Sequence, residues 1–402
     1  YLHTLASEIS TRSTDQLHIM RLLTTTLLLP LAMADGATTT TTTTTTAPTW
    51  PYSVQPFFLS ALNRALTPTD ATTLAELPLV VINHKQGGKT GTHSEEKQLA
   101  ALSLVKAANA SCATFFYLNS LVDFGSLALH QEFVDAPNGS WWLKTDAGAY
   151  VMHKDDHIFD LTVPAAKSAW LATAQHALAQ PYISGVFVDK AGGFGASGVS
   201  QARMTAWIQA HSDMLHTLGA AAQASKQRVI LNNVNIISLQ AGQLFERWGQ
   251  YADHDNLSVQ KDIALLEQLT TASNDGELVA LLRAGGAAPG SVPGVPPAVC
   301  SASLAAMLLA VDGPNAAFFS CMPDFNVVHG WMNLTQNAIY HEFLGAPKGK
   351  AVVGTDGIVT RAFEGANVIL NITSFEPPRT RGRLNSGCVK WASGSTTGIC
   401  PK

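Results

Sequence analysis

Between residues 77 and 321, short apolar runs alternate with amphipathic stretches, and no other feature constrains this chain as strongly. The runs are LPLVVINHK (77–85), CATFFYLNS (112–120), HIFDL (157–161), ISGVFVD (183–189), RVILNN (228–233), GQLFERW (242–248), ELVALLR (277–283) and AAFFSC (316–321). Helical patterns fill most of the gaps, among them EEKQLAALSLVKAAN (95–109), AAKSAWLATAQHAL (165–178) and CSASLAAMLLAV (300–311). Continuous apolar strands separated by helices imply a parallel sheet buried on both faces. Eight such units predict an α/β fold of the (β/α)8 TIM-barrel type, with a doubly wound open sheet as the alternative. GQLFERW is the one run that reads equally well as helix.

Composition sets the outer limits. The chain has 402 residues, 46% of them hydrophobic and 13% charged, enough apolar material for a large core. A net charge of −4 excludes the strongly basic surface that tracks nucleic acid. Residues 1–19 read as sequence upstream of a start at Met20. Residues 20–34 have the layout of a secretory signal: Arg21, a short apolar stretch, and the small-x-small ending Ala32-Met33-Ala34. Residues 35–56 form a threonine-rich linker that includes the tract Thr38 to Thr46. The barrel is expected over 57–345. Over 346–402 apolar and polar residues alternate around TDG and EGAN turns, which predicts a small antiparallel β-domain. The apolar runs fall short of a membrane span, so no membrane insertion is expected.

Secretion is also suggested by sequons at Asn109, Asn138, Asn256, Asn333 and Asn371. Five cysteines leave one unpaired. Cys112 opens an apolar run and reads as a buried thiol, while Cys388 with Cys400 and Cys300 with Cys321 are the expected pairs.

The chemistry is expected at the strand ends, because catalytic groups of such barrels come from the C-terminal ends of several strands. Those ends are polar here: Asn83, His84 and Lys85, then Asn119 and Asp123, then Asp160, Asp189, Asn232 with Asn233, and Glu246. Two carboxylates from different strands are the minimum equipment for glycoside hydrolysis. Asp189 is the expected nucleophile. Glu246 is the expected acid/base, since apolar neighbours Phe245 and Trp248 favour a protonated acid. Trp141 and Trp142 could stack on the apolar face of a sugar or simply anchor their loop. The remaining polar strand ends are expected to bind substrate, although Asp160 also reads as a helix cap.

Other readings are weaker. Gly193, Gly195 and Gly198 spell G-x-G-x-x-G, but the motif follows several strands and sits beside Asp189, whose charge repels a pyrophosphate. The cluster His153, Asp155, Asp156 and His157 offers mixed metal ligands, at a spacing that matches no helical zinc pair. No G-x-S-x-G elbow occurs. No cofactor and no metal are expected.

The segments VVINHKQGG, FFYLNSLVDF, GSWWLKTDAG, IFDLTVPAAKSAW and ISGVFVDKAGG together resemble TIM-barrel glycosyl-hydrolase-like families. LGAPKGKAVVGTDGIVTRAFEGANVILN and the final CVKWASG resemble the β-domain that ends such proteins. The resemblance implies that the aspartate closing GVFVD, Asp189, and the acid of the ERW segment, Glu246, are catalytic. It departs from the family pattern at Lys190-Ala191, where a DG pair is usual. The expectation is therefore a secreted enzyme acting on an extracellular polysaccharide or oligosaccharide. A non-catalytic carbohydrate-binding barrel and a metal-dependent hydrolase are the alternatives.

Overall fold

The computed structural model describes residues 52–88, 93–192, 194–232, 242–248, 250–251, 256–271, 279–284, 297–312, 316–320, 338–373, 375–376, 382–384 and 386–401. The expected signal segment, most of the linker, Asn233 and Cys321 lie outside the described residues.

Eight parallel strands form one sheet in simple sequence order: β1 (Phe58–Ser60), β2 (Leu79–Ile82), β3 (Ala113–Asn119), β4 (Gly185–Asp189), β5 (Arg228–Asn232), β6 (Gly242–Trp248), β7 (Val279–Ala284) and β8 (Ala316–Ser320). The two edges meet. Phe319 N–H donates to the Gln55 carbonyl at 2.8 Å, and Gln55 bridges Phe318 in parallel, so the sheet curls into a nearly closed barrel. Closure leaves almost no exposed ladder edge. Residues two apart along a strand share a face. One set, including Leu59, Val81, Phe115, Phe187, Ile230 and Leu281, fills the barrel interior as a single cluster. The alternate set, including Phe116, Leu118, Val186 and Val188, packs outward against the helices. Burial on both faces explains why these runs read as continuously apolar.

Eight strands were expected and eight are present, but membership differs by one. HIFDL is not a barrel strand. Its first residues belong to Asp156–Ile158, the centre of a three-stranded antiparallel side sheet with Met152–His153 and Val122–Asp123. Barrel strand β1 comes instead from the FFLS segment upstream, where Phe58 faces the helices and Leu59 the interior. GQLFERW, ambiguous in sequence, is a full strand between β5 and β7.

The helix Pro297–Ala310 is buried on every side over Cys300–Ala310. A helix apolar all round must be covered all round. One side meets the barrel, and the other meets a five-stranded antiparallel sheet ordered Val352–Val353, Ile358–Ala362, Ala366–Asn371, Gly387–Trp391 and Thr396–Ile399. Cys388 and Cys400 are joined across the last two strands. Cys300 is disulfide-bonded and Cys112 is a buried free thiol. Among the described residues, no helix is long and apolar enough to cross a membrane.

Candidate active site

The two-residue period of the strands selects which side chains crown the barrel. Tyr117 and Asn119 follow Phe115 on the inner face of β3, and Asp189 follows Phe187 on β4. Asn232 follows Ile230 on β5, and Glu246 follows Leu244 on β6. All are thereby directed to the C-terminal end of the barrel core.

Asp189 is the centre of this group. Its Oδ2 accepts from the Tyr117 hydroxyl at 2.6 Å and from Asn119 Nδ2 at 3.1 Å. Its Oδ1 accepts from Lys190 N–H at 2.8 Å and from Asn232 Nδ2 at 2.7 Å. Burial, then the Asp189 charge, push the Tyr117 phenol well above its usual range, so it stays a donor. The backbone is tied as well. Ser120 N–H and Oγ both donate to the Asp189 carbonyl at 3.0 Å, and His211 Nε2 lies 2.9 Å from Ser120 Oγ. Trp170, from the helix Pro164–Leu178, donates to the Asn119 carbonyl at 2.8 Å and fixes the end of β3.

The second carboxylate shares a donor with the first. Asn232 Nδ2 also donates to Glu246 Oε2, at 3.1 Å. An amide nitrogen carries two hydrogens about 120° apart, so the two acceptor oxygens stand roughly 5 Å from each other.

Glu246 owes its direction to an irregularity. Phe245 pairs with Leu282 and Trp248 with Ala284, so β6 carries one more residue than β7 across this interval. Such a bulge re-aims side chains and is frequent near active sites. Phe245 and Trp248 consequently both turn outward, into the core shared with the helix Pro297–Ala310, where Trp248 Nε1 donates to the Ser303 carbonyl at 2.8 Å. They do not enclose Glu246 as the sequence suggested.

A cleft opens beside Asp189, walled in part by His84, Lys85, Asn119, Phe124, Lys154 and Lys190. Neither Glu246 nor Asn232 is among its walls; Glu246 is tied to the wall residue Asp189 by the Asn232 amide. His84 stacks flat on Phe124, ring centroids 3.9 Å apart, and burial pushes its imidazole down to about 3, so it is neutral. Asn83 shapes the turn instead of facing the cleft: its Oδ1 accepts from Lys85 N–H at 2.8 Å.

Four expected substrate contacts are engaged in the scaffold. Asp123 is buried, accepting from Trp142 Nε1 at 2.7 Å and pairing with His130 Nδ1 at 2.8 Å. Trp142 stacks on His157 at 4.2 Å, and Trp141 packs edge-on against Phe133. Asp160 Oδ1 accepts from Thr162 N–H at 3.1 Å, a local turn bond. Asn233 lies outside the described residues. Of the HKDDH cluster, His153 and Asp156 reach the cleft wall while His157 stays with Trp142. Among the described residues, no three His, Cys, Asp or Glu side chains gather as metal ligands would.

Sequence reasoning passed over Tyr117, although counting back two from Asn119 places it on the same face. It also passed over Lys154 as a cleft residue, while Lys190 stood out only as the departure from the family pattern beside Asp189. The signal at Lys154 was only a non-glycine residue at a tight turn.

No curated protein matches the chain. Among solved structures, the chain is similar to the glycoside hydrolase domain of PelA from Pseudomonas aeruginosa, at 14% identity and a TM-score of 0.43, over 69% of this chain and 96% of that one. It is also similar to an alpha-amylase from Geobacillus thermoleovorans complexed with acarbose, at 8% identity and a TM-score of 0.42, over 81% of this chain and 88% of that one. A family match runs from residue 106 to residue 367, from just before β3 into the C-terminal sheet. By that match, the chain belongs to the hypothetical glycosyl hydrolase family 15.

Proposed function

We propose that this glycosidase works outside the cell on a polysaccharide or oligosaccharide, with Asp189 as nucleophile and Glu246 as general acid/base. The observation that carries the reading is the Asn232 amide held between the two carboxylates, at 2.7 and 3.1 Å. Roughly 5 Å between the acceptor oxygens suits a retaining enzyme, which needs carboxyls about 5–5.5 Å apart, better than an inverting one, which leaves room for water. In this scheme Glu246 protonates the leaving oxygen while Asp189 attacks the anomeric carbon. Water, activated by Glu246, then releases the sugar. Four donors occupy the in-plane lone pairs of Asp189, so the attacking oxygen becomes free when a sugar displaces one of them. The extracellular setting is supported by the signal-like segment at 20–34 and by the Cys388–Cys400 disulfide, which suits an oxidising compartment.

The test is hydrolysis of a glycan panel by wild type and by Asp189→Asn, with the product anomer followed by NMR. Loss of turnover by roughly 10³-fold or more and a retained anomer are expected. Unchanged turnover in Asp189→Asn would remove it from the mechanism, and an inverted first product would exclude the covalent route.

A further inference from the structure

We infer that the cleft beside Asp189 is built for a sugar carrying an anionic group, a carboxylate or a sulfate. This deepens the glycosidase reading and rests on it. The chain as a whole is acidic, with a net charge of −4. Yet three lysines, Lys85, Lys154 and Lys190, line this one cleft. Against them stand two carboxylates, Asp156 and Asp189. The lysines still outnumber the two aspartates, and Asp189 is held in place by its four hydrogen-bond donors. His84 is neutral and contributes no cation. Its ring, stacked on Phe124, gives the cleft an apolar surface against which a sugar face could rest.

The placement of two of these lysines strengthens the case. Lys154 sits at φ 59° in the turn between Met152–His153 and Asp156–Ile158, and Lys190 at φ 56° directly after Asp189. Few residues other than glycine adopt this left-handed region, and asparagine or glycine would fit such turns more easily than lysine. Strained positions of this kind gather at functional sites. Neither Lys154 nor Lys190 has a carboxylate partner among the described residues. Two unpaired ammonium groups beside a low-dielectric wall focus positive potential into the cleft, and a neutral sugar would leave that potential unused.

Calorimetric titration of the full chain decides the matter. The ligands are an oligogalacturonate for the carboxylate source, a chondroitin sulfate oligosaccharide for the sulfate source, and neutral maltotetraose and cellotetraose. One acidic ligand is expected to bind at least about tenfold tighter than either neutral one, with the preference shrinking as salt rises from about 0.05 to about 0.5 M. Lys154→Gln should weaken acidic-ligand binding about fivefold and leave neutral ligands untouched, with Lys154→Arg restoring the wild-type value, and Lys190→Gln should weaken acidic-ligand binding by a similar factor. Lys154 is exposed, so its variants test the idea even if Lys190→Gln fails to fold. Equal or tighter binding of neutral ligands, no binding of either acidic ligand, or indifference to the Lys154 change would each overturn the inference. Hydrolysis of the same panel separates the two readings: an acidic glycan bound and never cut sinks the glycosidase but keeps the charge preference.

Discussion

Asn232 holds one hydrogen on each of two carboxylates, so its removal unties both at once. Asn232→Ala should lower kcat by roughly 10²-fold, comparable to losing one preorganised donor, while the thermal midpoint moves little. Kinetics and melting curves measured side by side check this; a kcat within twofold of wild type would deny Asn232 a positioning role. His211 makes a pH-dependent contribution from further out. Burial pushes its imidazole down to about 4, and it reaches Ser120, which holds the Asp189 backbone. The unfolded chain takes up that proton near pH 6.5, before the folded chain does. Stability from this group is therefore complete above about pH 6.5 and drains away as pH falls through about 4, by at most about 3 kcal/mol. His84 acts in the same direction. Melting midpoints should fall across that window in wild type and fall less in His211→Gln, which keeps a donor near Ser120. An identical slope in both proteins would count against His211.

Among the elements, β4 shows how tightly the barrel is drawn. A Cβ on Gly185 would stand 2.1 Å from the Arg228 carbonyl oxygen and 2.6 Å from the Phe115 ring. Backbone on β5 cannot step aside without breaking its ladder to β4. Gly185→Ala should cost at least about 2 kcal/mol, read as a lower urea midpoint with unchanged m-value. A neutral effect would mean the barrel floor is looser than its packing implies. The same strand was legible from sequence, because GVFVD is apolar on both faces and ends on a carboxylate. HIFDL misled because a short apolar run carries no sign of whether its neighbours are parallel barrel strands or an antiparallel side sheet. The bulge in β6 was equally hidden. It depends on β7 having one residue fewer to offer, and no periodicity within ERW records that.

At the scale of the whole molecule, Arg361 joins barrel layer to C-terminal sheet. It is buried, and its Nη1 donates to the Leu308, Leu309 and Val311 carbonyls at 3.1, 3.3 and 2.7 Å. Its Nε donates to the Gly349 carbonyl at 3.0 Å, and Nη2 faces Asp312 at 3.3 Å. The last carbonyls of the helix Pro297–Ala310 have no partners within the helix, and a cation there also opposes the negative end of the helix dipole. Arg361→Met leaves those carbonyls unpaired and should cost about 2–3 kcal/mol. Because the helix is buried between barrel and sheet, that loss should shift one cooperative unfolding transition. Two separate transitions in calorimetry would show that the layers do not share a core.

Parallel order, the β-rich C-terminus and the carboxylate at the end of GVFVD were determined by sequence alone, whereas the count of eight agreed only because FFLS takes the place of HIFDL. Each is a local property: burial on two faces demands apolar runs, antiparallel hairpins demand alternation, and a strand end exposes its last polar residue. Tertiary structure decided what depends on distant segments meeting. It alone put Tyr117, Asn119 and Asn232 around Asp189, turned Phe245 and Trp248 away from Glu246, and buried Asp123 against Trp142. Those contacts join residues tens of positions apart, and their geometry is set by barrel closure and a bulge rather than by any neighbouring residue.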